Sequence, residues 1–128
     1  MTEFYEQVKE RLMRYARINT ESNPHSTSVP TTSCQHDLAS VIYEELQKIG
    51  ATNVYYDKDT CVVYGSLEAN VKTGRAIGFV THMDTAPDAS GKDVKPWVLE
   101  NYDGNDIVLN KEKDIVMSPK VFPNLKQY

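Results

Sequence analysis

The chain has 128 residues, which suits one domain of ordinary size. Hydrophobic residues make up 40% and charged residues 25%, which excludes a disordered tail, a collagen-like repeat and a small disulfide-stapled scaffold. With 14 Lys and Arg against 18 Asp and Glu the net charge is -4, and no basic face for nucleic acid is expected.

Residues 1–10 hold no apolar h-region, so no signal peptide is expected. No stretch approaches the roughly 18 apolar residues of a membrane span. The two cysteines, Cys34 and Cys61, are too few for a disulfide framework, and a cytoplasmic protein with reduced thiols is the economical expectation. Cys34 lies two residues before His36, but no second ligand pair accompanies it, and the pairing reads as incidental.

Residues 3–17 are predicted to form an amphipathic helix. Phe4, Val8, Leu12 and Tyr15 fall on one stripe, expected to pack in the core, and Thr2 is placed to cap the start ahead of Glu3 and Glu6. Residues 19–31 follow as a Ser- and Thr-rich loop with Pro24 and Pro30, long enough to suggest a functional loop. Thr32 and Gln35 have the spacing of a capping box. The helix they open carries Leu38, Ile42, Leu46 and Ile49 on one face and stops at Gly50. Its Glu44 and Glu45 are expected on the solvated face, without a catalytic role.

From residue 53 the pattern changes to strands. Residues 53–56 and 61–65 flank Asp57-Lys58-Asp59 as a hairpin, and Lys72-Thr73-Gly74 marks a second turn. The apolar run at 75–80 lacks alternation and is predicted to be a strand buried on both faces. Residues 97–101 and 106–109 are expected to pair across 102–105, and 115–117 adds a short strand before Pro119 and Pro123. No internal repeat or linker stands out. Two helices followed by strands indicate an α/β fold.

The informative segment is Thr81-His82-Met83-Asp84-Thr85, at the expected carboxyl end of the 75–80 strand. Residues two apart project to one side of an extended backbone, which places His82 and Asp84 on one face. Strand ends of open α/β sheets are where ligands bind. Neutral imidazole is a good zinc donor, and a neighbouring carboxylate fixes its tautomer. Taken alone the triplet is a weak signal, and a solvent-exposed histidine at a strand end is its default reading.

The longer string, residues 81–91, resembles the metal-site segment of the peptidase T family of tripeptide aminopeptidases, within a clan of two-zinc peptidases and deacylases. Similarity extends to 14–22, 67–70, 100–107, 118–123 and Leu125, in the family's order. The resemblance implies the N-terminal part of a mixed-sheet zinc-peptidase catalytic domain over residues 1–128. It implies that His82 is a ligand to one of two zinc ions. Asp84 would be the acidic catalytic residue, holding an imidazole by hydrogen bonding. Tripeptides are the implied substrates, in the cytoplasm, with metal-activated water as nucleophile and a separate glutamate as base.

The family's remaining site residues have no counterpart in this sequence: a bridging aspartate, an adjacent Glu-Glu pair, a further acidic ligand and a distant histidine. The rest of the catalytic domain and the inset dimerisation domain are likewise absent. Glu44-Glu45 precedes the His-x-Asp segment in a helical context and does not substitute. A catalytic zinc takes three protein ligands, so the chain alone is expected to bind zinc weakly and to be inactive. The alternative is a non-catalytic binding or assembly module that keeps the His-x-Asp strand. An open sheet edge is further expected to promote self-association; no nucleic-acid or membrane partner is expected.

Overall fold

The computed structural model describes residues 2–72 and 74–127, apart from the side chain of Thr2. The proposed Thr2 cap, and Thr73 in the 72–74 turn, therefore lie outside the described residues. The elements run α1 (Thr2–Tyr15), α2 (Gln35–Lys48), β1 (Thr52–Asp57), β2 (Val62–Ser66), β3 (Ile107–Asn110), β4 (Ile115–Met117) and a 3₁₀-helix (Pro123–Lys126). Two helices with two small antiparallel sheets make a mixed α/β chain. It divides into two compact units, one ending at Pro96 and the other starting at Trp97.

In the first unit, α2 packs on the β1–β2 hairpin. Leu38 and Ala39 of α2 are buried, as is Cys61 at the hairpin turn. Gly50 ends α2 as its sequence suggests. Its φ of +81° lets the chain turn back, so that Gly50 N–H reaches Gln47 O at 3.1 Å and Ala51 N–H reaches Leu46 O at 2.9 Å. These two bonds satisfy carbonyls that the helix end leaves open. The hairpin pairs Tyr55 with Tyr64, whose rings stack at 6.3 Å. Its turn is held by Asp57, which accepts from Asp59 N–H at 3.0 Å and Thr60 Oγ1 at 2.7 Å. Those bonds keep the Asp57 carboxyl below its ordinary pKa.

The capping box forms differently from the expected pattern. Cys34 holds the cap position with no side-chain bond to the helix backbone, while Gln35 Nε2 donates to Thr31 Oγ1 at 3.2 Å and Thr32 Oγ1 at 3.1 Å. The Thr32 hydroxyl donates to Glu21 O at 2.6 Å, and its oxygen takes the Gln35 side chain instead of a backbone N–H of the first turn.

Helix α1 stops at Tyr15, two residues short of the expected end, and its stripe is not core. Phe4, Val8 and Leu12 are exposed. What joins α1 to α2 is polar. Glu45, 12% exposed, accepts from Arg11 Nε at 3.1 Å and from Tyr15 Oη at 2.5 Å, and its second oxygen faces the Arg14 guanidinium. Glu45 thus leaves the solvated face assigned to it, because Arg11 and Arg14 bring two compensating charges. Glu44 stays exposed beside Lys48.

The apolar run at 75–80 forms no strand and is not buried. Ile77, Phe79 and Val80 are 82%, 94% and 100% exposed. A strand satisfies its backbone only through a neighbour, and no described residue pairs with this run.

In the second unit, β3 pairs with β4 across residues 111–114. Residues 97–101 do not join β3 as expected. Residues 102–105 close on themselves instead: Tyr102 Oη donates to Asn105 O at 2.6 Å, and Asp103 accepts from Asn105 N–H at 3.0 Å and Asn105 Nδ2 at 2.9 Å. The strand at 115–117 forms as predicted.

Two outcomes follow from the Glu45 contacts. Glu45→Ala should cost about 1–2 kcal/mol in urea denaturation, because Tyr15 loses its acceptor and both arginines their partner. Burial, then the Glu45 hydrogen bond and charge, push the Tyr15 phenol from 10.0 up to about 12. The neutral phenol is therefore the form favoured by folding. Its stabilisation is complete below pH 10.0 and lost as pH rises through about 12. Ultraviolet titration should show the Tyr15 phenol ionising late in the wild type and earlier in Glu45→Ala, where burial alone still raises it.

Candidate functional site

The His82-x-Asp84 segment is held from its carboxyl side. Thr85 N–H donates to Thr20 O at 3.1 Å, and Thr85 O accepts from Ser22 N–H at 2.9 Å and Ser22 Oγ at 3.1 Å. Glu21 and Thr85 so form a parallel bridge between stretches more than sixty residues apart. Thr20 is 2% exposed at this junction. Farther along, Gly91 N–H donates to Glu21 Oε2 at 3.0 Å.

Gly91 permits this approach. A Cβ there would lie 2.7 Å from Asn19 Oδ1 and 3.3 Å from Thr85 Oγ1. Asn19 Oδ1 has little room to retreat, since it accepts from Glu21 N–H at 3.2 Å.

The long loop after residue 19 is tied down as well. Asn23 N–H donates to Thr31 Oγ1 at 3.1 Å, and Glu21 O takes the Thr32 hydroxyl. The loop and the hairpin turn bound a cleft of about 400 Å³, lined by Ser22, Asn23, Ser28, Gln35, Thr60 and Asp84. The loop walls the cleft on which Asp84 lies.

His82 and Asp84 share a side, as their spacing predicts. His82 Nδ1 lies 3.0 Å from Asp84 Oδ1, with His82 83% and Asp84 38% exposed. A neutral ring that donates from Nδ1 to a carboxylate keeps its Nε2 lone pair for a metal ion. One oriented nitrogen donor fits a zinc ligand. A catalytic zinc takes three protein ligands, and among the described residues no group of three or more His, Cys, Asp or Glu converges.

The other histidines are engaged elsewhere. His36 Nδ1 lies 2.5 Å from Tyr56 Oη, and His25 borders a separate cleft with Cys34 and Lys92. The Cys34 thiol faces Thr32 Oγ1 at 3.3 Å. Cys61, buried at the hairpin turn, has its thiol pKa raised by that burial, which suppresses the reactive thiolate.

Sequence reasoning did not single out Glu21, Thr85 and Gly91 as partners. Their only signal was membership of the two stretches, 14–22 and 81–91, that carry the family resemblance.

No protein-family model matches the chain. Individual proteins do. It is 48% identical over 122 residues to Peptidase T of Alkaliphilus oremlandii, covering 93% of this chain and 30% of that protein. Peptidase T of Clostridium acetobutylicum is 48% identical over 124 residues, covering 96% of this chain and 30% of that protein. Peptidase T of Geobacillus kaustophilus is 47% identical with the same coverage. The chain thus spans about 30% of the length of the curated relatives it matches. Across nearly its whole extent it is a peptidase T sequence by kinship, over a stretch three-tenths as long as the family members compared.

Proposed function

We propose that this chain carries the His-x-Asp part of a zinc aminopeptidase site acting on tripeptides in the cytoplasm. His82 is the ligand to one of two zinc ions, and Asp84 orients its ring. The 3.0 Å contact between His82 Nδ1 and Asp84 Oδ1 carries this reading, in a chain 48% identical over 122 residues to a protein named Peptidase T. When bound, zinc polarises the scissile carbonyl and lowers the pKa of water.

The chain's own residues have narrower tasks. Asp84 holds the Nδ1 proton and so keeps Nε2 as the donor nitrogen. Thr85, bonded on both sides of its backbone, fixes the point from which Asp84 reaches the ring. Ser22, Asn23 and Gln35 present polar groups on the same cleft as Asp84, suited to a peptide's backbone.

Replacing the matched stretch of the Clostridium acetobutylicum protein with this chain tests the reading. The chimera should hydrolyse tripeptides, stop on chelation and recover with zinc. Asp84→Ala should lower kcat/KM by about 10–100-fold, the range for residues that orient a metal ligand, and His82→Ala by at least as much. A folded chimera that keeps full activity with both substitutions would contradict the proposal. The 128-residue chain alone should show little or no tripeptide hydrolysis. Turnover by the isolated chain, abolished by a chelator and by Asp84→Ala, would overturn that part.

A further inference from the structure

We infer that Glu21 is a positioning residue for the His82–Asp84 pair, acting as a clasp on the 84–91 segment. The inference rests on the reading of that pair as part of the site. Upstream of Thr85, no backbone hydrogen bond is found over residues 75–83 among the described residues, and the run is largely exposed. Among the described residues, the backbone hydrogen bonds that hold the pair therefore lie on its downstream side.

Glu21 acts there in three ways. Its position in the chain lies between Thr20 and Ser22, which take both polar groups of the Thr85 backbone. Its carboxylate accepts from Gly91 N–H at 3.0 Å, a bond strengthened by the negative charge. Its carbonyl receives the Thr32 hydroxyl at 2.6 Å, which ties the clasp to the start of α2. Residues 85–91 are thereby closed into a loop, with one end bonded to Thr20 and Ser22 on either side of Glu21 and the other to the Glu21 carboxylate. Releasing the Gly91 end leaves the segment hanging on the Thr85 bonds, so Asp84, the next residue upstream, loses the second restraint on its direction. The His82 ring then loses its fixed partner.

NMR of the 128-residue chain provides the test, with amide exchange read at Gly91 and the tautomer read from the His82 ring nitrogens. In Glu21→Gln the side-chain carbonyl still accepts, so Gly91 exchange should stay within about twofold of wild type and the His82 tautomer should persist. In Glu21→Leu, Gly91 should exchange at least roughly tenfold faster, and His82 should move from the Nδ1–H tautomer toward the mixture of free imidazole. Amide protection in α2 should not change in either variant.

Faster Gly91 exchange with an unchanged His82 tautomer would overturn the inference, as would a Gln variant that behaves like Leu. Should Glu21→Leu lose α2 protection, Gly91→Ala decides. It crowds Asn19 Oδ1 while leaving Glu21 intact, and it should produce the same His82 change. An unaltered His82 in that variant overturns the clasp. The metal-ligand reading fails separately, by a zinc affinity that His82→Ala leaves unchanged.

Discussion

Thr85 is the residue on which the candidate site depends. Its amide and carbonyl are both taken by residues 20–22, so one position joins the loop after α1 to the segment carrying His82 and Asp84. Neutral hydrogen bonds of this kind are each worth about 0.5–1.5 kcal/mol net, and one to a carboxylate about 1.5–3. A few of them, closely spaced, set the geometry here. Apolar burial contributes little at this point, since the buried apolar residues Leu38, Ala39 and Cys61 belong to α2 and the hairpin turn.

Polar contacts also govern the rest of the first unit. α1 presents Phe4, Val8 and Leu12 to solvent and meets α2 through Glu45, Arg11, Arg14 and Tyr15. The loop between the helices is fastened by hydroxyls and amides, through Thr31, Thr32, Gln35 and Asn23. Such bonds are directional. They specify where Asp84 stands on its cleft more sharply than non-directional burial would.

Local signals were legible where the chain's own neighbours satisfy them. Gly50 as the stop of α2, the hairpin about Asp57 and the strand at 115–117 each rest on contacts between chain segments that follow one another directly. The shared side of His82 and Asp84 follows from backbone geometry alone. The apolar run at 75–80 and the stripe on α1 show the limit. Periodicity reports which face prefers burial, and burial needs a partner that no described residue supplies. Glu45 fails in the opposite direction. Its charged helical context reads as solvated, yet Arg11 and Arg14, from another helix, make a nearly buried carboxylate tolerable. Glu21, Thr85 and Gly91 were invisible for a related reason: a polar bridge across more than sixty residues leaves no period and no spacing to read.

In the proposed function, His82, turned by Asp84, binds a metal ion. Adding cobalt(II) to the isotope-labelled chain and following paramagnetic broadening of the amide signals tests it most directly. The account predicts broadening centred on His82 that extends to Asp84 and Ser22 and disappears in His82→Ala. Broadening centred instead on His25, or on Cys34 and His36, and unchanged in His82→Ala would contradict it.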